Sequence, residues 1–302
     1  MKILILRSGA GRRRTPAGAA HPREAGASTR ERGVMALGNG SGHWVLVNMS
    51  PAVAHQLDSD PRLDAHAGLP DAGVRAVVLT DAQVDHVGGL LSLRDGPPID
   101  LYATPAVFEQ LTTALPVLQH DCGVHWHAVP VAGDRRVASF RVDGLPELEF
   151  TAVVTRSPPP HLAHADGPQV GDSIALAVRD LATGQRVFCA PGLAQIGEIE
   201  FEWMREADCL LLDHLPADAS APPTAAAAPP TAAAAPPTAA AVPPTAAAAP
   251  PTAAAVHDWL QRLSQLPARH KVLLGGLSDA ADTAHWARQG IALAYDGMEI
   301  DL

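Results

Sequence analysis

The sequence predicts a layered α/β sandwich that carries a low-complexity Pro/Ala insert. Short, nearly continuous apolar runs recur along the chain, as expected for strands that are covered on both faces. Two pairs of these runs flank turns that contain glycine, and this pattern predicts β-hairpins. Helical periodicity alternates with strands in the last part of the chain, so helices are available to cover the sheets.

The predicted elements follow the chain in a simple order. The buried strands are KILIL (2–6), VRAVVLT (74–80), LEFTAVVT (148–155), DCLLLD (208–213) and KVLLGG (271–276). The hairpins are GVMALGNGSGHWVLVN (33–48) and SIALAVRDLATGQRVFCAP (173–191). One helix has an apolar face formed by Val256, Trp259, Leu260, Leu263 and Leu266. A second helix is predicted from a cap at Ser278 to a stop at Gly290, and the strand IALAY (291–295) follows it.

Length and composition exclude several classes of protein. The 302 residues suffice for a full core, and the net charge of −10 argues against nucleic-acid partners, which require basic surface. Cys122, Cys189 and Cys209 are far apart, so they form neither a disulfide framework nor a cysteine zinc knuckle. No apolar run reaches the ~20 residues of a membrane span, and the opening MKILIL is too short for a signal peptide. We therefore expect a cytoplasmic protein without a membrane partner.

One segment differs in composition from the rest. The unit PPTAAAA recurs five times at a period of seven residues, beginning at Pro222. Paired prolines prevent a continuous helix, and the segment has no large apolar residue to bury. We interpret 221–255 as a disordered linker within a single domain, whose two parts are 1–220 and 256–302.

The stretch LTDAQVDHVGGL (79–90) is the strongest candidate site. Asp81, Asp85 and His86 lie within six positions at the end of a predicted buried strand, and the glycines after them can open a helix. Side chains two positions apart on an extended turn converge on one metal ion, and the next two residues can reach a second ion. An ordinary polar helix start is the alternative, but the strand before the stretch and the glycines after it favour a site derived from metal chemistry.

Several sequence motifs, taken together in their order along the chain, resemble the pyrroloquinoline quinone (PQQ) biosynthesis protein B family of the metallo-β-lactamase superfamily. They are VLVNMSP, TDAQVDHVGGLLSLR, LYATPAVFEQLTT, CGVHWHAVP, GLPELEFTAV, CAPGLAQI, LLLD and IALAYDGMEIDL. The resemblance covers most of the chain from about residue 40 to 213 and then 256 to 302. It implies a metallo-β-lactamase-like αββα sandwich and a role in maturing the PQQ precursor.

The resemblance also assigns candidate metal ligands. Against the superfamily signature H-x-H-x-D-H, Asp81 and Gln83 replace the two leading histidines, whereas Asp85 and His86 match. Asp213 aligns with the bridging aspartate of the superfamily. The predicted metal ligands are thus Asp81, Asp85, His86, Asp213 and His214, of which Asp85 and His86 are also the predicted catalytic residues. His161 and His164 are alternatives to His214 as the remaining ligand.

The chain departs from the family in three places. Residues 7–26 contain no cysteine cluster, so a structural zinc is not expected. His214 directly follows Asp213, and the repeats replace the loop that the family has there. Gly275 stands where the family has a histidine, and the resemblance implies that a histidine restored there would raise metal affinity.

Three functions remain open at the level of sequence. The first is an iron-dependent oxygenase that hydroxylates the tyrosine-derived PQQ precursor, with zinc as the alternative metal. The second is a carrier that binds or transports PQQ or its precursor without catalysis. The third is an ordinary metal-dependent hydrolase, which Gln83 and Gly275 disfavour. The expected partners are a small-molecule or dipeptide-like precursor and other proteins of the PQQ pathway.

Deleting Pro222–Ala249 is expected to leave the fold intact. The cost of closing a loop grows only by about 0.6 kcal/mol per doubling of its length. The dozen or so linker residues that remain can cross about 40 Å at roughly 3.3 Å per residue. Thermal melts and limited proteolysis of the two proteins test this, and a melting temperature lowered by more than a few degrees would mean that the segment packs.

Overall fold

The computed structural model describes the chain in segments. They are residues 1–9, 32–57, 60, 63, 73–95, 99–114, 124–155, 169–193, 197–212, 253–275 and 280–302. The repeats up to residue 252 and the cysteine-free segment from residue 10 lie outside the described residues. The linker and structural-zinc predictions therefore stay predictions.

A first sheet of seven strands contains both ends of the described chain. Its order is β14-β1-β2-β3-β4-β5-β6. The strands are β1 Lys2–Ser8, β2 Arg32–Gly38, β3 Trp44–Val47, β4 Val74–Val78, β5 Ile99–Ala103, β6 Val124–Ala128 and β14 Glu299–Asp301. β14, β1, β2 and β3 pair in antiparallel fashion, whereas β3 to β6 are parallel.

A second sheet of seven strands repeats this arrangement. Its order is β13-β12-β11-β10-β9-β8-β7. The strands are β7 Val137–Arg141, β8 Leu148–Val154, β9 Ile174–Asp180, β10 Arg186–Ala190, β11 Cys209–Leu212, β12 His270–Leu273 and β13 Ile291–Leu293. β7 to β10 are antiparallel, and β10 to β13 are parallel.

Helices cover the outer face of each sheet. They are α1 Pro51–Leu57, α2 Val84–Val87, a 3-10 helix Gly88–Asp95, α3 Pro105–Ala114, α4 Glu198–Glu206, α5 Ala253–Ser264 and α6 Ala280–Arg288. None of the helices in the described segments is long and apolar enough to cross a membrane. α5 begins at Ala253, three residues before the predicted boundary, because the alanines that close the last repeat have high helix propensity.

Three apolar clusters hold these four layers together. In β1, Ile3 and Ile5 face the second sheet, whereas Leu4 and Leu6 face the first sheet's helices. The third cluster joins the second sheet to α4, α5 and α6 and includes four of the five residues predicted for the apolar face of α5: Trp259, Leu260, Leu263 and Leu266. Successive residues of a strand point to opposite faces, so continuous apolar runs are what an αββα sandwich requires.

Both predicted hairpins are confirmed. β2 pairs with β3 and β9 pairs with β10, each in antiparallel register. Gly40 and Gly42 in the first turn and Gly184 in the second adopt positive φ angles, which glycine enters without steric cost.

The carboxyl ends of the parallel strands approach one another across the two sheets. The amide of Leu274, after β12, donates to the carbonyl of Leu212 at the end of β11 (2.8 Å), and the amide of Gly275 donates to the carbonyl of Ser8 at the end of β1 (2.5 Å). Ser8 pairs with Arg32, one residue before Gly33. The carbonyl of Gly33 accepts a bond from Asn48, which follows β3 (3.2 Å). These contacts connect the ends of β11 and β12, through β1 and β2, with the end of β3.

Candidate functional site

The candidate site is built where β4 ends. Asp81 and His86, five positions apart in sequence, are joined by a hydrogen bond of 2.7 Å between Asp81 Oδ1 and His86 Nδ1. Asp81 is 1% exposed and His86 is 3% exposed. The turn that leads from β4 into α2 therefore folds back so that the two side chains meet inside the protein.

The carboxylate of Asp81 accepts further hydrogen bonds from its own turn. The backbone amide of Gln83 donates to Oδ1 (2.9 Å), and the side-chain amide of Gln83 donates to Oδ2 (3.3 Å). The hydroxyl of Thr80 lies 3.4 Å from Oδ2. A buried carboxylate is costly unless its lone pairs are used, and here four donors surround it.

Asn48 supports this turn from the neighbouring strand. Its backbone amide donates to the carbonyl of Val78 (2.9 Å), and its side chain exchanges hydrogen bonds with the amide (3.0 Å) and hydroxyl (2.9 Å) of Thr80. Asn48 has a φ of 63°, in the left-handed region that asparagine tolerates better than most residues. Sequence reasoning missed this role, although the phrase VLVNMSP places an asparagine directly after a strand.

The helix that carries His86 is docked on the chain after β3. The amide of Met49 donates to the carbonyl of His86 (2.6 Å), and the amide of Gly89 donates to the carbonyl of Met49 (2.9 Å). A Cβ atom at Gly89 would lie 2.3 Å from the carbonyl oxygen of Ser50. The glycine at this position is required because two backbone segments pack directly on each other. The helix at this stretch begins at Val84, before the two glycines, as a single turn of α-helix, and the glycines start the 3-10 helix that follows.

The second sheet brings two hydroxyl-bearing residues, Ser173 and Thr155, to the turn that contains Asp81. Asp81 forms an antiparallel bridge with Ser173, and the amide of Ile174 donates to the carbonyl of Thr80 (2.9 Å). The hydroxyls of Ser173 and Thr155 lie 3.0 Å apart, and both residues are buried. Neither residue was predicted, because only the packing of the two sheets brings β8 and β9 to this turn.

The other predicted ligands are placed only in part. Asp85 is half-buried in the first turn of α2, beside Val84, whose side chain is 46% exposed. Asp213, His214, His161 and His164 lie outside the described residues, although Leu212 brings the chain to this edge of the sandwich immediately before Asp213. Within the described segments, no group of three or more His, Cys, Asp or Glu side chains could hold a metal ion. The five-residue ligand set therefore stays a prediction.

Two other histidines and two cysteines in the described segments have surroundings of a different kind. His125 is 68% exposed on β6, and His127, which is 36% exposed, bonds to Asp100 (Nε2 to Oδ1, 2.9 Å), so this pair lies on a solvated face of the sheet. Cys189 is buried in the core between the sheets. Burial raises the pKa of the Cys209 thiol to about 12, so this thiol stays protonated and is a poor ligand or nucleophile.

Comparison with known proteins identifies the family. A family profile described as a beta-lactamase superfamily domain matches residues 43–274. Over 288 residues the chain is 32% identical to coenzyme PQQ synthesis protein B of a Pseudomonas putida strain, covering 91% of this chain and 89% of that protein. The chain belongs to the coenzyme PQQ synthesis protein B family. This family member is 39% identical over 192 residues to the protein of the same name from Azotobacter vinelandii, and it spans 62% of that relative's length.

A solved structure confirms the architecture. The zinc-bound PqqB protein of Methylobacterium extorquens matches the full length of both chains with a TM-score of 0.68 and 22% sequence identity. At that identity the likeness shows the fold alone. The predicted metallo-β-lactamase-like αββα sandwich is thereby confirmed, as is the family that the sequence phrases indicated.

Gly89→Ala is expected to destabilise the protein and to loosen the docking of His86. Its Cβ would overlap backbone atoms of Ser50, and relieving such overpacking costs about 1–3 kcal/mol. Gly88→Ala is the matched control, since its Cβ would lie 3.1 Å from a side-chain carbon of Pro51, which can move slightly. Thermal melts should show a clear loss for Gly89→Ala only; equal melting temperatures would contradict the tight packing.

Gly275→His is now expected to strain the chain rather than to build a ligand. Gly275 has a φ of 98°, which residues with a side chain rarely adopt, at a cost of order 1–3 kcal/mol. Gly275→Ala shares the strain without the imidazole and serves as the control. Both variants should melt several degrees lower, with no gain in zinc affinity over wild type in calorimetric titration. A tighter zinc site in the histidine variant alone would restore the expectation drawn from the family.

Proposed function

We propose that this protein acts in PQQ biosynthesis as a metal-dependent oxygenase that hydroxylates the tyrosine-derived ring of the precursor. The observation that carries the proposal is the buried hydrogen bond between Asp81 and His86 at the carboxyl end of β4. Membership of the PQQ synthesis protein B family supplies the pathway. A buried histidine held by a carboxylate is a common arrangement around metal ligands.

The donor set fits iron or zinc by its chemistry. Asp85 and His86 would hold the metal together with Asp213 and His214, which follow the last residue of β11. These two carboxylates and two imidazoles include the set of two histidines and one carboxylate that is typical of non-haem iron, and the same groups bind zinc. Iron bound there would supply the redox chemistry of a hydroxylation in which one atom of dioxygen enters the ring, while a two-electron reductant and two protons convert the other atom to water.

The chain's own residues would position the precursor and exclude water. Val84 exposes an apolar side chain beside Asp85, where it can contact an aromatic ring. Ser173 and Thr155 are buried with their hydroxyls 3.0 Å apart, so they would close the site to water on the side of the second sheet. Ring contact with Val84 would orient a tyrosine-derived substrate at the end of β4.

Metal analysis of the purified protein tests this function. Wild type loaded with iron under anaerobic conditions should retain a stoichiometric ion after dialysis. Asp85→Ala alone should weaken metal binding strongly, because it removes one ligand. Asp85→Ala with His86→Ala should abolish metal binding, because it removes two. His125→Ala with His127→Ala is the control, since these two histidines lie on the exposed face of β6 and should leave the metal content unchanged.

Oxygen consumption then separates the candidate functions. The iron-loaded protein, supplied with an excess of a two-electron reductant, should consume dioxygen when a tyrosine-derived precursor is added, and the Asp85→Ala variant should not. Metal content unchanged in the double variant would contradict the site assignment. Tight binding of PQQ by metal-free protein, with no oxygen consumption in the loaded form, would instead show a carrier.

A further inference from the structure

We propose that Asp81 is a positioning residue rather than a metal ligand: its carboxylate holds His86 with a proton on Nδ1, so that Nε2 carries the lone pair. The inference deepens the proposed function and rests on it for the identity of the metal site. It differs from the superfamily signature, in which the position of Asp81 is occupied by a histidine ligand.

The surroundings of Asp81 leave its oxygens committed within the protein. Oδ1 accepts from the amide of Gln83 and from Nδ1 of His86, and Oδ2 lies within hydrogen-bonding distance of the side chains of Gln83 and Thr80. The bridge to Ser173 covers the same residue from the second sheet. A metal bound by Asp81 would have to replace several of these bonds at a residue that is only 1% exposed.

The same bond selects one form of the imidazole. A carboxylate has only acceptor oxygens, so the ring nitrogen at 2.7 Å must carry the proton. In the neutral ring the other nitrogen then has the lone pair that a metal requires. The docking of α2 through Met49 fixes the backbone of His86, and Asp81 fixes its ring.

Gln83 belongs to the same arrangement. It stands at the position of the second histidine of the signature, and both its backbone and side-chain amides donate to Asp81. Asp81 and Gln83, at the two leading positions of the motif, thus form a hydrogen-bonded support for His86 at its last position. Partners of this kind typically raise metal affinity by 10–100-fold without touching the metal.

The tautomer of His86 can be measured directly in metal-free protein. Two-bond 1H–15N correlation spectra of protein labelled at histidine nitrogens, recorded at about pH 8, distinguish a protonated from an unprotonated ring nitrogen. His86→Gln assigns the signal. Wild type should show Nδ1 protonated and Nε2 unprotonated for His86. Asp81→Ala should lose this preference, whereas Asp81→Asn should keep it, because the amide oxygen can still accept from Nδ1.

Zinc titration of the same variants completes the test. Asp81→Ala should bind zinc about 10–100-fold more weakly than wild type, and Asp81→Asn should recover much of the loss. Asp100→Asn, which removes the carboxylate beside His127 on the surface, is the matched control and should change neither readout. Thermal melts establish that each variant is folded.

Two outcomes would overturn the inference. The first is a wild-type His86 that carries its proton on Nε2. The second is an Asp81→Ala variant that loses zinc while its His86 keeps Nδ1 protonated, because Asp81 would then be a ligand. Failure of the proposed function is distinguishable: wild type would bind neither iron nor zinc, while the tautomer in metal-free protein would still respond to Asp81.

Discussion

The buried carboxylate of Asp81 is the constraint around which this end of the molecule is organised. A charge removed from water must be compensated by donors in fixed positions. The protein supplies them from one short turn: the amides of Gln83, the hydroxyl of Thr80 and the ring of His86. The path of the chain after β4, and with it the direction of α2, follows from satisfying that one group.

The support extends outward through the backbone of both sheets. Asn48 holds Thr80 and reaches the carbonyl of Gly33 on β2, and Ser173 bridges to Asp81 from the second sheet. The site is therefore attached to three strands of the first sheet and to one of the second. A change at any of these contacts would reach His86 through the hydrogen bonds of Thr80 and Asp81.

The sequence predicted those parts of the protein that depend on local patterns. Strands such as β1 and β11 are apolar on both faces, and the hairpin turns contain glycines, so the periodicity alone identified them. The short edge strand β14 was not predicted as a strand, because it alternates buried and exposed residues over only three positions. These three residues form a strand because they pair in antiparallel register with β1.

The site was predictable in its motif but not in its surroundings. The stretch from Asp81 to His86 was recognisable because its residue types and spacing are typical of metal sites. The roles of Asn48, Thr155 and Ser173 come from contacts between residues 18 to 92 positions apart, which no local pattern encodes. The conformation of Gly275 likewise appears only in three dimensions.

The pairing of β1 with β14 has a consequence for how the molecule is assembled. Lys2 lies opposite Asp301, and Ile3 lies opposite Ile300, so the outermost strand of the first sheet comes from residues 299–301. Contacts between such distant residues carry a large loop-closure entropy and are typical of slow folding. During synthesis on the ribosome, β1 and β2 emerge early. The edge of β1 that pairs with β14 stays unpaired until β14 has been synthesised. That edge is a place where a chaperone or a second nascent chain can bind before β14 arrives.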